Sequence, residues 1–314
     1  MRRWLWPSGR LVVGAAVIGV LVWRLGYGPF VDALRGIDGR ALVAAAGIAF
    51  LTTLCCAWRW SLVAGRLGVS VTTRAALAAC YRSQFVNVTT PGGVAGDVLR
   101  GVRHGREVGD TSRALRSVAW ERLVGQLVQV SLALPLLLLL PSPVRAVLPW
   151  GAGALLVTAI GVVVALRLVR PGASSVWSRA RTTAAGDLRA ALLSRHTLPR
   201  IVAASGLAVA GHVLTFLIAA RTAGSTASWW QLAPVALLVL LAAALPTNLA
   251  GWGPREGVAA WAFGAAGAGA ELGVATSVVF GVMTLVASLP GAVLLLLSRR
   301  SAPGRTNRAD PACA

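Results

Sequence analysis

The stretch from residue 81 to residue 103, Tyr-Arg-Ser-Gln-Phe-Val-Asn-Val-Thr-Thr-Pro-Gly-Gly-Val-Ala-Gly-Asp-Val-Leu-Arg-Gly-Val-Arg, decides how this chain is read. Pro91, Gly92, Gly93, Gly96, Asp97 and Arg100 follow directly on an apolar run, in a sequence whose other long apolar runs are almost free of charge. Helix breakers and ions are costly in a membrane-type segment. The backbone groups they free must be satisfied by protein or water, so such breaks persist where the chain lines a polar cavity. Residues 245 to 257, Leu-Pro-Thr-Asn-Leu-Ala-Gly-Trp-Gly-Pro-Arg-Glu-Gly, repeat the pattern near the other end, with Pro246, Gly251, Gly253 and Gly257 flanking Arg255 and Glu256. Each half of the chain thus carries one broken apolar segment.

Composition sets the class. The 314 residues are 56% hydrophobic and 13% charged, with mean hydropathy +0.72, against roughly 25% charged residues in ordinary soluble domains. An all-α polytopic membrane protein is expected. The net charge of +20 does not argue for nucleic acid, because the arginines gather in the links between apolar runs, as the positive-inside rule requires. There the charge sets topology and favours anionic lipid headgroups. Cys55, Cys56, Cys80 and Cys313 form no Cys-x-x-Cys pair. They read as small apolar residues in helices, and no metal or cofactor is expected.

Taken in order, Leu11 to Trp23 forms a first span behind Arg2, Arg3 and Arg10; a cleaved signal peptide is the alternative, weakened by the poor cleavage site at Gly26-Tyr27-Gly28. A second span covers 41–64 and ends in Trp58-Arg59-Trp60, at the depth of an interfacial aromatic belt. The segment 75–99 has basic flanks on both sides and should enter the membrane and turn back. Residues 118–140 give a third span, with Glu121, Gln126 and Gln129 on one broad face, and 150–169 a fourth. A large arginine-rich cytoplasmic loop holding Asp187 follows. Residues 201–220 then span outward with His212 in the middle, read as a hydrogen-bonded interhelical contact rather than a proton relay. After the broken segment 231–270, residues 273–297 make the last span, ahead of the basic tail.

The tail lands inside only if 231–270 is a hairpin entering from outside. The expected architecture is therefore about six full transmembrane helices plus two re-entrant broken-helix hairpins in an inverted repeat. Seven or eight spans remain as alternatives. The halves cover about 1–140 and 148–300 of a membrane domain over 1–300, with 301–314 a disordered cytoplasmic tail and both termini cytoplasmic, in the cell membrane. Such repeats let a carrier alternate between two faces around a site near the midplane.

A helix that starts after a Gly-rich break offers unpaired N–H groups and a positive dipole end, which suit a phosphate. Arg100 and Arg255 each sit beside such a break, and guanidinium matches phosphate oxygens in a fixed fork. Asn87 and Thr90 add polar groups. Asp97 and Glu256 would neutralise the arginines in an empty site or carry a proton, and Glu121-Arg122 belongs to the same cluster. Read singly, either Pro-Gly stretch also fits an ordinary turn between helices. No triad, P-loop, dinucleotide fingerprint or zinc motif occurs.

Phe85-Val86-Asn87-Val88-Thr89-Thr90-Pro91-Gly92-Gly93 running into Gly96-Asp97-Val98-Leu99-Arg100, then Glu121-Arg122, then Leu245-Pro246 to Gly251, Gly253 and Arg255-Glu256-Gly257 resemble the flippase-like family that contains the transmembrane region of lysylphosphatidylglycerol synthases. The resemblance implies movement of lipids or lipid-linked headgroups between leaflets, with the broken segments lining the path. No soluble aminoacyl-transfer domain of that family is expected beside the membrane region, so lipid aminoacylation is not implied. Phe280-Gly281-Val282-Met283 also stands where relatives often carry an arginine. The expected function is a flippase-like translocator of an anionic phospholipid or a polyprenyl-phosphate-linked glycan. Its partners are membrane lipids, with a homodimer or partner enzyme open and nucleic acid excluded. The alternatives are a membrane transferase acting on lipid-linked sugars and an accessory protein that recruits an enzyme through the arginine-rich loops.

Overall fold

The computed structural model describes residues 31, 35–90, 93–139, 176–188, 197–244 and 253–300. The expected spans over 11–23 and 150–169, Pro91, Gly92, Pro246, Gly251 and the tail 301–314 lie outside them. Among the described residues the secondary structure is helical throughout: α1 (Gly39–Arg66), α2 (Thr73–Thr89), α3 (Ala95–Val108), α4 (Thr111–Leu139), α5 (Val176–Asp187), α6 (Leu198–Thr222), α7 (Trp229–Ala243), α8 (Pro254–Ala265) and α9 (Ala270–Arg300). Four of them, α1, α4, α6 and α9, are long and apolar enough to cross a membrane. The others are too short: the 17 residues of α2 and 12 of α8 span about 25 and 18 Å at 1.5 Å per residue, against a hydrocarbon layer of about 30 Å.

Local chemistry sets these boundaries. Asp38 caps α1 by accepting the Ala41 N–H at 2.6 Å, and Thr72 caps α2 through Ala75. At the first break, Thr90 ends α2 with its hydroxyl donating to the Val86 carbonyl at 2.6 Å. Pro91 follows in the sequence and cannot continue a helix. Gly93 turns the chain with φ 63°, a left-handed conformation that only glycine adopts cheaply. At the second break Gly253 takes φ 120°, and Pro254 then opens α8 at its first position, where a missing N–H costs nothing. Gly257 is not part of that break. It lies inside α8, its N–H bonded to the Gly253 carbonyl.

The first two short helices fold back as an antiparallel pair. Cys80 meets Arg100, Ser83 meets Asp97 and Asn87 meets Gly96 across α2 and α3. Gly96 lies so close to the Ser83 backbone that a methyl group there would overlap its carbonyl. α4 packs antiparallel on α3, with Gly101 against Leu115 and Gly105 against Thr111. In the second half, Gly273 of α9 rests on Ala259 of α8 and Ser277 faces Arg255, which gives the same arrangement.

The two halves meet along α1 and α6. Gly211 lies against Thr52, Ser205 against Arg59 and Thr197 against Arg66, so residue numbers rise along one helix as they fall along the other. Exchange α1 with α6, α2 with α7, α3 with α8 and α4 with α9, and the packing maps onto itself. α1–α2 becomes α6–α7, α2–α3 becomes α7–α8, α3–α4 becomes α8–α9, and α2–α9 becomes α7–α4. Likewise α1–α4 becomes α6–α9 and α1–α9 becomes α6–α4. Each half keeps an apolar core. Trp60, Val63, Ala76 and Val118 centre the first, and Phe216, Val235, Phe263 and Val278 the second.

Three details differ from the sequence reading. Trp58-Arg59-Trp60 is not an interfacial belt, for only Trp58 is exposed, while Arg59 and Trp60 are buried. The hydropathic run ended before the helix did, since α1 continues to Arg66, about 10 Å beyond Arg59. α4 begins at Thr111, a polar turn and more before the apolar stretch. The arginine-rich loop also contains a helix, α5, pinned where Asp187 accepts from Arg116 Nε at 2.8 Å and from Trp120 Nε1 at 3.2 Å.

Candidate functional site

One cavity of about 340 Å³ lies between the halves, lined by Gly93 of the first break and by Ala244 and Arg255, which flank the second. Among the described residues four arginines, Arg59, Arg100, Arg122 and Arg255, and two acids, Asp97 and Glu121, line it. Neutral polar groups fill the intervals: Asn87, Gln126, Gln129 and Ser288 among them. A polar, net positive chamber inside a bundle of apolar helices is costly unless every charge has a partner.

The charges are held as a chain. Glu121, 2% exposed, accepts on Oε1 from Arg59 Nε at 2.9 Å and Nη2, and on Oε2 from Arg100 Nη2 at 3.0 Å. Arg59 also donates to Ser205 Oγ at 2.9 Å, tying α6 to α1 and α4. Gly125, one turn beyond Glu121, leaves the space its guanidinium occupies. Arg100 bonds Asp97 Oδ1 at 3.1 Å and Cys80 Sγ at 3.0 Å, and stacks over the Trp60 ring at 4.6 Å. The Trp60 indole N–H is satisfied by Ser117 at 3.0 Å. Arg122 ends the chain on Asp97 Oδ2, with its side chain 47% exposed. It is the accessible member of a buried set.

Asp97 and Glu256 occupy the same position, third residue of α3 and of α8, but do different work. Glu256 is fully buried. Its Oε2 accepts the Gly253 N–H at 2.6 Å, and Oε1 takes Arg255 Nε at 2.9 Å, Arg255 Nη2 at 2.6 Å and Ser277 Oγ at 3.1 Å. It seals the start of its own helix, as an acid at N3 does best, and fixes Arg255, whose guanidinium faces the Phe280 ring at 5.4 Å. Asp97 instead accepts from Ser83 Oγ at 3.0 Å and Asn87 Nδ2 at 2.9 Å, beside Arg100 and Arg122.

Of the polar residues expected to grip a ligand, Asn87 spends both ends of its amide closing the hairpin, donating to Asp97 and accepting from the Gly96 N–H at 2.7 Å. Thr90 caps α2 and does not reach the cavity. Gly93 lines it, and Gly96 provides the close approach of α3 to α2. Glu121, Gln126 and Gln129 share the cavity wall, as their common face implied. His212 lines it too, exposed and, among the described residues, without the hydrogen bond expected for it. Arg59 escaped the sequence reading because its neighbours are tryptophans. Glu121 was the signal, since an intramembrane acid calls for a cation at matching depth on another helix.

No curated protein matches the chain. The family described as lysylphosphatidylglycerol synthase TM region matches residues 9–291. That match covers nearly all of the sequence, including both breaks and the whole arginine–carboxylate chain. It agrees with the resemblance carried by the motifs, and places the chain among multi-pass membrane proteins associated with lipid or glycolipid handling. The chain belongs to the lysylphosphatidylglycerol synthase TM-region family.

Proposed function

We propose that this protein is a flippase-like lipid translocator, passing the phosphate-bearing headgroup of an anionic phospholipid or a polyprenyl-phosphate-linked glycan through the central cavity. The observation that carries the reading is that arginines from both halves, Arg100 and Arg122 from one and Arg255 from the other, line a single polar chamber. A headgroup inside would meet guanidinium groups from both sides, while the acyl or prenyl chain stays among exposed leucines of the outer helix faces. The antiparallel α1–α6 seam and the exchange symmetry of the packing support an inverted repeat, in which α2–α3 and α7–α8 are re-entrant hairpins and rocking about the seam would expose the chamber to each face in turn. Both termini then lie in the cytoplasm of a cell-membrane protein.

Arg122 is the responsive cation in this scheme. An incoming phosphate takes its guanidinium from Asp97, which keeps Ser83, Asn87 and Arg100 and so bears no uncompensated charge. Glu256 stays bound to Arg255 and Gly253 throughout, and presents Arg255 as a fixed anchor.

The test is reconstitution in liposomes carrying a fluorescent anionic phospholipid in both leaflets, followed by chemical reduction of the outer dye. Wild-type protein should expose inner-leaflet probe faster than empty vesicles, and Arg100→Ala and Arg255→Ala should each slow this at least tenfold. If the wild type matches empty vesicles with anionic, zwitterionic and polyprenyl-phosphate probes, with and without a proton gradient, translocation is refuted. A transferase or accessory role would then take its place.

A further inference from the structure

On the side of α3 facing away from the main chamber, a separate cavity of about 110 Å³ lies in the groove between α2 and α3, floored by Trp60. Its polar lining is strongly basic: Arg82 from α2, and Arg100, Arg103 and His104 from α3, against Glu107 alone. Two observations mark it as a place for an anion. Arg82 is repelled by Arg103 and attracted by Glu107, whose side chain is 69% exposed at the rim. Among the described residues neither Arg82 nor Arg103 makes a hydrogen bond or ion pair, and behind them Arg100, buried to all but 4% of its side chain, adds a third positive charge to the lining.

Arg82 and Arg103, like charges on the same groove, repel one another. An oxyanion bound between them relieves that repulsion. The cavity has room for a phosphate group. His104 Nε2 donates to the Val69 carbonyl at 2.8 Å, which holds the ring edge-on to Trp60, centroids 5.4 Å apart, and keeps the floor rigid.

We propose that this groove is a second oxyanion site, in which Arg82 and Arg103 hold a phosphate group over the buried charge of Arg100, supplied either by inorganic phosphate or by an anionic phospholipid headgroup. It opens separately from the central chamber, with Ser83 and Arg100 the residues common to both, and does not rest on the transport reading. Occupancy here places a negative charge behind the Arg100 guanidinium and so relieves its dependence on Asp97 and Glu121.

The test uses the full chain with the double substitution R82Q/R103Q. Neither side chain lines the central chamber, and both are partly exposed. Thermal unfolding is followed in an uncharged detergent with inorganic phosphate against chloride of equal ionic strength, and in nanodiscs with phosphatidylglycerol against phosphatidylcholine. Phosphate, phosphatidylglycerol or both should raise the wild-type midpoint, and a response to the lipid alone identifies a headgroup site. The double variant should melt at or above wild type in chloride, because a repulsion has gone, and should lose at least tenfold in affinity for whichever probe acts. A wild type indifferent to both probes, a variant that responds like wild type, or a variant that melts well below it in chloride would overturn the proposal.

Discussion

Replacing Glu121 by Gln keeps the shape of the side chain and removes the charge on which two guanidinium groups depend. Arg100 retains Asp97 at 3.1 Å. Arg59, 6% exposed, is left with the neutral Ser205 hydroxyl at 2.9 Å and the Cys56 sulphur at 3.7 Å. Breaking a buried ion pair from one side costs about 3–5 kcal/mol, because the remaining ion stays desolvated. At roughly 2 °C per kcal/mol for a chain of this size, the melting midpoint in detergent should fall by about 6 °C or more. Removing both ions should recover much of this, since Arg59→Gln with Glu121→Gln leaves two neutral amides in the same space. A coupling of at least about 1 kcal/mol, measured by fluorescence-detected gel filtration after graded heating, distinguishes an ion pair from independent contacts. If Glu121→Gln melts within a degree or two of wild type, or the two changes simply add, the buried charge chain does not exist as described.

Three further outcomes follow from the geometry. Gly96→Ala should lower the midpoint far more than Gly47→Ala, because a methyl at 96 overlaps the Ser83 carbonyl while one at 47 meets nothing; in the helix interior of α1 the second change should stabilise by up to about 1 kcal/mol. Asp187→Asn removes the charge that anchors α5 to Arg116, so limited trypsin digestion should cut between 176 and 200 several times faster with the midpoint little changed. Arg122→Gln, at a half-exposed position, should leave stability within about 1 kcal/mol of wild type and still slow lipid exposure in the liposome assay about tenfold. A variant that is both stable and fully active would remove Arg122 from the path.

What could be read from the sequence was wherever composition and chain geometry speak for themselves. Pro91-Gly92-Gly93 and Gly253-Pro254 cannot sit inside a helix, so the ends of α2 and the start of α8 were legible, and so was an acid near each break. Arg59 was not, because its meaning depends on Glu121, 62 residues away, and hydropathy averages a single buried cation away among tryptophans. The difference between the two acids was equally hidden. Asp97 and Glu256 share the third position of their helices, yet the helix of Asp97 starts from Val94, with no side-chain cap to its first turn, whereas Glu256 folds back onto Gly253. One extra methylene lets the glutamate reach the N–H three residues behind it, and Gly253 at φ 120° brings that N–H within range. The shorter aspartate is instead held by side chains of α2 and α4. Equivalent helix positions thus hold a locked acid–arginine unit in one half and, in the other, an acid shared with the half-exposed Arg122. On the translocator proposal, that inequality lets one half keep its grip on a phosphate while the other exchanges partners.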